Sequence, residues 1–112
     1  MSVLKSVLWI MFCGLAVYTA AVVIAEGPDL VSVFLGDIFA MNWSGQFNLD
    51  FLCYLVLSAF WVAWRHGFSG GGLALAAVAS VGGVLFFAPY LLIQSARVAS
   101  IRELVLGVHA RS

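Results

Sequence analysis

The chain has 112 residues, of which 64 % are hydrophobic and 9 % charged, and its five basic residues balance five acidic ones. A soluble domain has about 45–50 % apolar and about 25 % charged residues, so this composition excludes an ordinary water-soluble fold. A nucleic-acid partner is excluded as well, because five cations form no basic patch. We therefore predict a single all-α integral membrane domain with three transmembrane helices, one short interfacial amphipathic helix after the first span, and one short C-terminal amphipathic helix.

The first predicted element is a transmembrane helix over residues 7–25, an uncharged run that follows Lys5. Its length is close to the roughly 20 residues that cross a bilayer. Pro28 and Asp29 then suit the start of a new helix. Residues 29–41 are amphipathic, too short and too charged to span, so we predict an interfacial helix that lies at the membrane surface.

Residues 48–64 predict the second transmembrane helix, with Asn48 as its N-cap and Asp50 in its first turn. A carboxylate at the bilayer centre costs about 2.5–3.5 kcal/mol. We therefore expect Asp50 at headgroup level, where the helix dipole stabilises it. Indole rings and snorkelling cations concentrate at membrane interfaces. The expected membrane anchors are Trp43, Trp61, Trp64 and Arg65.

The third span is predicted over residues 73–94, after a flexible glycine-rich loop at 67–72. Small side chains recur along it at helical spacing, which predicts a stripe where another helix backbone packs closely. The stripe consists of Gly72, Ala76, Ala79, Ser80 and Gly83. Pro89 removes a backbone donor and predicts a kink near the end of this helix. A capping-box pattern at Ser100 and Glu103 predicts the short C-terminal helix over residues 100–108.

The distribution of charge predicts the orientation. The loop over residues 26–46 has three acids and no Lys or Arg, whereas Lys5 and Arg65 lie on the opposite side. The positive-inside rule then places the N-terminus in the cytoplasm. Three crossings put the arginine-rich tail outside, against the same rule. Because the first helix usually dominates, we keep the N-terminus inside.

Several short motifs occur in a fixed order along the chain: Gly27-Pro28-Asp29-Leu30, Phe34-Leu35, Phe39-Ala40, Phe47-Asn48-Leu49-Asp50, Pro89-Tyr90-Leu91-Leu92 and Arg97. In this order the chain resembles a family of small bacterial three-span membrane proteins classed as a domain of unknown function. In that family the second span usually ends in a Glu-Gly-Arg type sequence, whereas Trp64-Arg65-His66-Gly67 stands here, without the acid. The resemblance implies this architecture and a location in a bacterial inner membrane, and it implies no activity.

Polar groups on the loop side are candidates for an interface with a ligand or partner. They are Asp50, Asn48, Asp37 and Glu26. Carboxylates at a membrane surface can act as general acids on a lipid or isoprenoid, but no glycine-rich phosphate loop or His/Cys ligand cluster accompanies them. We therefore predict no catalytic residue and no metal site. His66 and His109 each stand alone near a membrane boundary, and we predict that both are solvated.

These observations favour a non-enzymatic accessory or scaffold subunit of a larger respiratory or photosynthetic assembly, which packs helices, lipids or hydrophobic cofactors. Nine Phe and four Trp residues supply large apolar surfaces for contact with such partners. Two alternatives stay open: a membrane enzyme acting on a lipid or isoprenoid, and an oligomeric small-molecule transporter. The expected partners are membrane lipid and other membrane subunits or a second copy. No cofactor is predicted, although a bound lipid, quinone or pigment is compatible with these helices.

Overall fold

The computed structural model describes residues 1–111, which form five α-helices and a terminal 3-10 turn and contain no strand. The elements are α1 (Ser2–Glu26), α2 (Leu30–Phe39), α3 (Trp43–Arg65), α4 (Gly70–Arg97), α5 (Ile101–Leu106) and the 3-10 turn Gly107–Arg111. Three of them, α1, α3 and α4, are long and apolar enough to cross a membrane. The all-α fold class is confirmed, and the chain is a multi-pass membrane protein.

The second long helix begins earlier than the sequence predicts. The side chain of Asn42 accepts a hydrogen bond from the Gly45 N–H at 2.8 Å and caps α3. Asn48 therefore lies inside the helix, and its amide donates to the Phe34 carbonyl at 3.1 Å. Asp50 also lies beyond the first turn, so the prediction that it stands in that turn is wrong. The prediction of Asn48 as the N-cap is wrong because Asn42, six residues earlier, already satisfies an N–H group that the helix start leaves unpaired.

Helix α2 packs antiparallel against the beginning of α3. Gly45 lies so close to the Asp37 carbonyl that a Cβ atom would overlap it. Asn48, three residues further along α3, bonds to Phe34, three residues further back along α2. The two helices thus form a hairpin, in which the absence of a side chain at Gly45 allows close approach of the backbones.

Helix α4 doubles back at Gly83, whose φ of 57° and ψ of −149° are not helical. In a straight helix Gly72 and Tyr90 would lie about 27 Å apart, at about 1.5 Å per residue. His66 nevertheless contacts both: its Cβ lies against Gly72, and its Nε2 is 2.7 Å from the Tyr90 hydroxyl. The second half of α4 therefore returns beside the first. The break falls at Gly83 rather than at Pro89, because the combination of φ and ψ there suits glycine and few other residues.

The core is small and lies between the C-terminal half of α3 and the two halves of α4. Its buried members are Val62, Ala63, Ala76, Ala79 and Tyr90. The predicted small-residue stripe lies at this contact: Ala76 and Ala79 are in the core, and Gly83 faces Phe51 of α3. The helix that packs on the stripe thus belongs to the chain itself. Helix α1 packs on α4, and its buried residue is Leu8.

Candidate functional site at the end of α3

Arg65, the last residue of α3, is only 3 % exposed. Its Nε donates to the Leu104 carbonyl at 2.5 Å, and its Nη1 donates to the Gln94 side-chain oxygen at 3.1 Å. Both partners are neutral, whereas a guanidinium stays charged at any physiological pH. The prediction of a snorkelling cation is wrong, because α5 and the 3-10 turn fold over this end of α3. The charge is buried, and these two partners do not neutralise it.

The C-terminal segment is fastened to α3 by contacts with its tryptophans. Trp61 Nε1 donates to the Val105 carbonyl at 3.1 Å. His109 Nε2 donates to the Trp64 carbonyl at 2.8 Å, and its ring stacks on the Trp64 indole with centroids 4.1 Å apart. The Trp64 carbonyl also accepts from the Gly67 N–H at 2.9 Å, so His109 adds a second hydrogen bond at the end of α3. Two of the predicted membrane anchors thus hold the tail, and the prediction that His109 is solvated is wrong.

A second polar contact lies next to Arg65 and joins His66 to Tyr90. His66 and the Tyr90 hydroxyl are 2.7 Å apart, and the Arg65 guanidinium also interacts with that hydroxyl. Burial, and to a smaller extent the charge of Arg65, lowers the pKa of His66 from its ordinary value of 6.5. The imidazole is therefore neutral at pH 7. The prediction that His66 is solvated is also wrong, since its ring joins α3 to the returning half of α4.

These residues surround a positively charged cleft of about 610 Å³. Among the side chains that the structure describes, it is lined by three guanidinium groups and one carboxylate, a net formal charge of +2 (three minus one), together with neutral polar groups. The charged and polar lining residues are Arg65, His66, Gln94, Arg97, Arg102 and Glu103. The carboxylate of Glu103 accepts a hydrogen bond from the Ala99 N–H at 3.1 Å, so it serves the start of its own helix. This arrangement suits the binding of an anion.

The loop-side polar residues differ in their surroundings. Asp50 is exposed on α3 and Glu26 is exposed at the end of α1, while Asp37 is half-buried on α2. Asn48 bonds to the α2 backbone. Within residues 1–111 no group of three or more His, Cys, Asp or Glu residues could hold a metal ion. The residues around Arg65 that line the cleft come mainly from the segment that begins at Arg97, for which the sequence predicts a surface helix.

No protein-family model, curated protein or solved structure matches the chain. The resemblance to a family of three-span membrane proteins therefore stays a prediction. Two polar features of the fold bear on function: the exposed acid of α3 and the basic cleft at its other end.

Proposed function

We propose that the protein is a non-enzymatic accessory subunit of a larger membrane assembly, and that the outer face of α3 binds a transmembrane helix of a partner subunit. The observation that carries this proposal is an exposed seam along α3 with an acid at its centre. The seam consists of Trp43, Phe47, Asp50, Tyr54 and Leu57. Its spacing of four, three, four and three residues is that of a helix–helix contact.

The seam faces away from the rest of the chain. Its four apolar and aromatic side chains are 76 %, 65 %, 68 % and 64 % exposed, from Trp43 to Leu57. The buried residues of α3, such as Leu55 and Val62, lie on the side that meets α4. A partner helix can therefore pack on the seam without disturbing the fold of this chain.

Asp50 gives the seam its specificity. It lies seven residues after the start of α3, roughly 10 Å along the helix axis, and its neighbours in the seam are Phe47 and Tyr54. Lipid chains cover aromatic and aliphatic groups well but give a carboxylate no hydrogen bond. A partner helix that presents a hydrogen-bond donor or a cation opposite Asp50 would stabilise it. The proposed partner is thus a transmembrane helix with one polar residue in an apolar face.

We also propose that both ends of the chain lie on the cytoplasmic side of a bacterial inner membrane. If α1 and α3 each cross the bilayer, Lys5 and Arg65 share one side. The return of α4 at Gly83 and the contacts of α5 with α3 bring Arg97 and Arg102 to that same side. The arginine-rich tail then no longer conflicts with the positive-inside rule.

Purification from native membranes in a mild detergent tests the accessory role. We expect the full-length protein to comigrate with a stoichiometric membrane partner. Asp50→Leu should release that partner, whereas Asp50→Glu should retain it. Asp37→Leu is the matched control, because Asp37 is an acid on the same side of the protein but outside the seam. A lone monodisperse monomer, or an Asp50→Leu variant that still comigrates, would contradict the proposal.

A further inference from the structure

We infer that the basic cleft beside Arg65 is a binding site for a phosphate group, supplied by the headgroup of an anionic phospholipid or by inorganic phosphate. The cleft lies at the opposite end of α3 from the seam, and its lining includes no seam residue. The inference is therefore independent of the proposed partner helix.

Arg65 is held in a fixed orientation by its hydrogen bonds. A guanidinium has five N–H donors. The hydrogen bonds to Leu104 and Gln94 use Nε and Nη1, and the group also interacts with the Tyr90 hydroxyl. These contacts fix the plane of the guanidinium, while Arg65 still lines the cleft. A guanidinium fixed in this way loses little freedom when it binds, and its fork of donors matches the oxygens of a phosphate.

The second argument is the convergence of charge from separate elements. Arg65 ends α3, Arg97 ends α4 and Arg102 lies in α5, yet all three line one cleft. Arg102 is steadied by a hydrogen bond from its Nη1 to the Ala110 carbonyl at 3.2 Å. Since Glu103 bonds to the Ala99 N–H, the single carboxylate of the lining is engaged elsewhere. Like charges gathered in this way repel each other, and a bound dianion or phosphodiester relieves that repulsion.

The third argument is the position and size of the cleft. Trp61 and Trp64 precede Arg65 on α3, and tryptophans concentrate at headgroup depth in membrane proteins. Basic pockets between helices at this depth bind the headgroups of anionic lipids. The cleft volume of about 610 Å³ exceeds that of a single phosphate and leaves room for the rest of a headgroup.

Binding of two probes to the isolated full-length protein tests the inference. In detergent, the protein is titrated with short-chain phosphatidylglycerol and separately with inorganic phosphate, with short-chain phosphatidylcholine as the zwitterionic reference. Binding is followed by tryptophan fluorescence and by calorimetry. Arg97→Gln should weaken binding about tenfold, the loss expected for one charge-assisted hydrogen bond. Lys5→Gln is the matched control, because Lys5 is a cation of α1 that does not line the cleft.

The two probes distinguish the source of the phosphate. Saturable binding of phosphatidylglycerol that depends on Arg97 assigns a lipid headgroup to the cleft. Binding of inorganic phosphate alone, with the same dependence, assigns a free phosphate. Arg102→Gln, a second variant of the lining, should weaken whichever probe binds. The inference is overturned if neither probe binds, or if both arginine variants bind as tightly as Lys5→Gln.

Discussion

The C-terminal and N-terminal regions of the chain are held to the rest of the fold in different ways. At the C-terminal end, four hydrogen bonds join the end of α3 to Gln94 of α4 and to the α5 region, and a fifth polar contact joins His66 to Tyr90. At the N-terminal end, α1 packs on α4, and 6 % of its most apolar stretch is buried. One end is fastened by polar groups, while the other presents apolar surface to its surroundings.

The difference between the two regions follows from the lipid that surrounds the helices. In a bilayer, apolar side chains gain little by leaving lipid for the protein interior, so apolar area alone does not fix one arrangement of helices. Hydrogen bonds and close backbone contacts do fix one arrangement of helices, because an unpaired polar group in lipid finds no water with which to form a hydrogen bond. The C-terminal end is specified in this way. The N-terminal end leaves its apolar surface available for lipid or for another subunit.

The largest expected effect comes from removing Arg65. Arg65→Met keeps the length of the side chain but leaves the Leu104 carbonyl and the Gln94 side chain without their donor. We expect a loss of about 2–4 kcal/mol in the free energy of unfolding, measured by denaturant titration in detergent. Lys5→Met is the control and should change stability little, since Lys5 is a cation outside this network. A stable Arg65→Met variant would show that the polar end is not what holds the fold.

Replacing Gly83 tests the return of α4. Its backbone lies in a region that other residues rarely adopt, and a Cβ atom would come within 3.0 Å of Phe51 Cζ. Gly83→Ala should therefore cost about 1–3 kcal/mol, measured in the same titration. Gly82→Ala is not a suitable control because a Cβ there would crowd Phe86, so Gly71→Ala, which faces open space, serves instead.

The same break has a topological consequence. In a variant with both native cysteines replaced by serine, Ser2→Cys and Ser100→Cys should react with a membrane-impermeant maleimide from one side. Ser44→Cys, which lies at the start of α3, should react from the other. Labelling of residues 2 and 100 from opposite sides would mean that α4 crosses the membrane completely and that the proposed orientation is wrong.

The long helices and the tail were predictable because their signals are local. An uncharged run of about 20 residues is a span by length, and the pattern at Ser100 and Glu103 gives the observed cap, since the Ser100 hydroxyl accepts from the Glu103 N–H at 3.3 Å. The return of α4 was not predictable from hydropathy. Residues 73–94 are apolar, and an apolar run has the same hydropathy in a straight helix as in one that reverses at Gly83. One signal was present: a straight third span left the arginines of the tail on the wrong side for the positive-inside rule.

The site was harder to predict than the fold. An arginine after two tryptophans has the same sequence pattern whether it snorkels to water or is buried. What buries Arg65 is Leu104, 39 residues later, which reaches it only because α4 turns back. The histidines were misjudged for the same reason: the partner of His66 is Tyr90, and the partner of His109 is Trp64, and both contacts join distant parts of the chain.

Acidification should lower the stability of the contacts at the end of α3 by a smaller amount than the substitutions above. Unfolded His66 binds a proton near its ordinary pKa of 6.5, whereas burial and Arg65 lower the pKa in the folded protein. The contribution of His66 is therefore complete above pH 6.5 and decreases as the pH falls below that value. Stability measured from pH 7.5 to 5 should decrease for the wild type and less so for His66→Gln. Equal slopes for the two proteins would show that His66 does not titrate in this way.

The smallest effect is expected in α1. Gly14 lies in the middle of this helix, with a helical backbone and no atom within 4 Å of the position that a Cβ would occupy. Gly14→Ala should therefore leave the fold unstrained and raise stability by at most about 1 kcal/mol, the difference in helix propensity. Gly107→Ala is the contrasting variant at the polar end, because a Cβ there would overlap the Arg65 backbone. If Gly14→Ala is as destabilising as Gly107→Ala in the isolated protein, α1 is packed as tightly as the C-terminal end. If Gly14→Ala is harmless in the isolated protein but disrupts comigration with a partner, the surface of α1 belongs to the assembly contact as well.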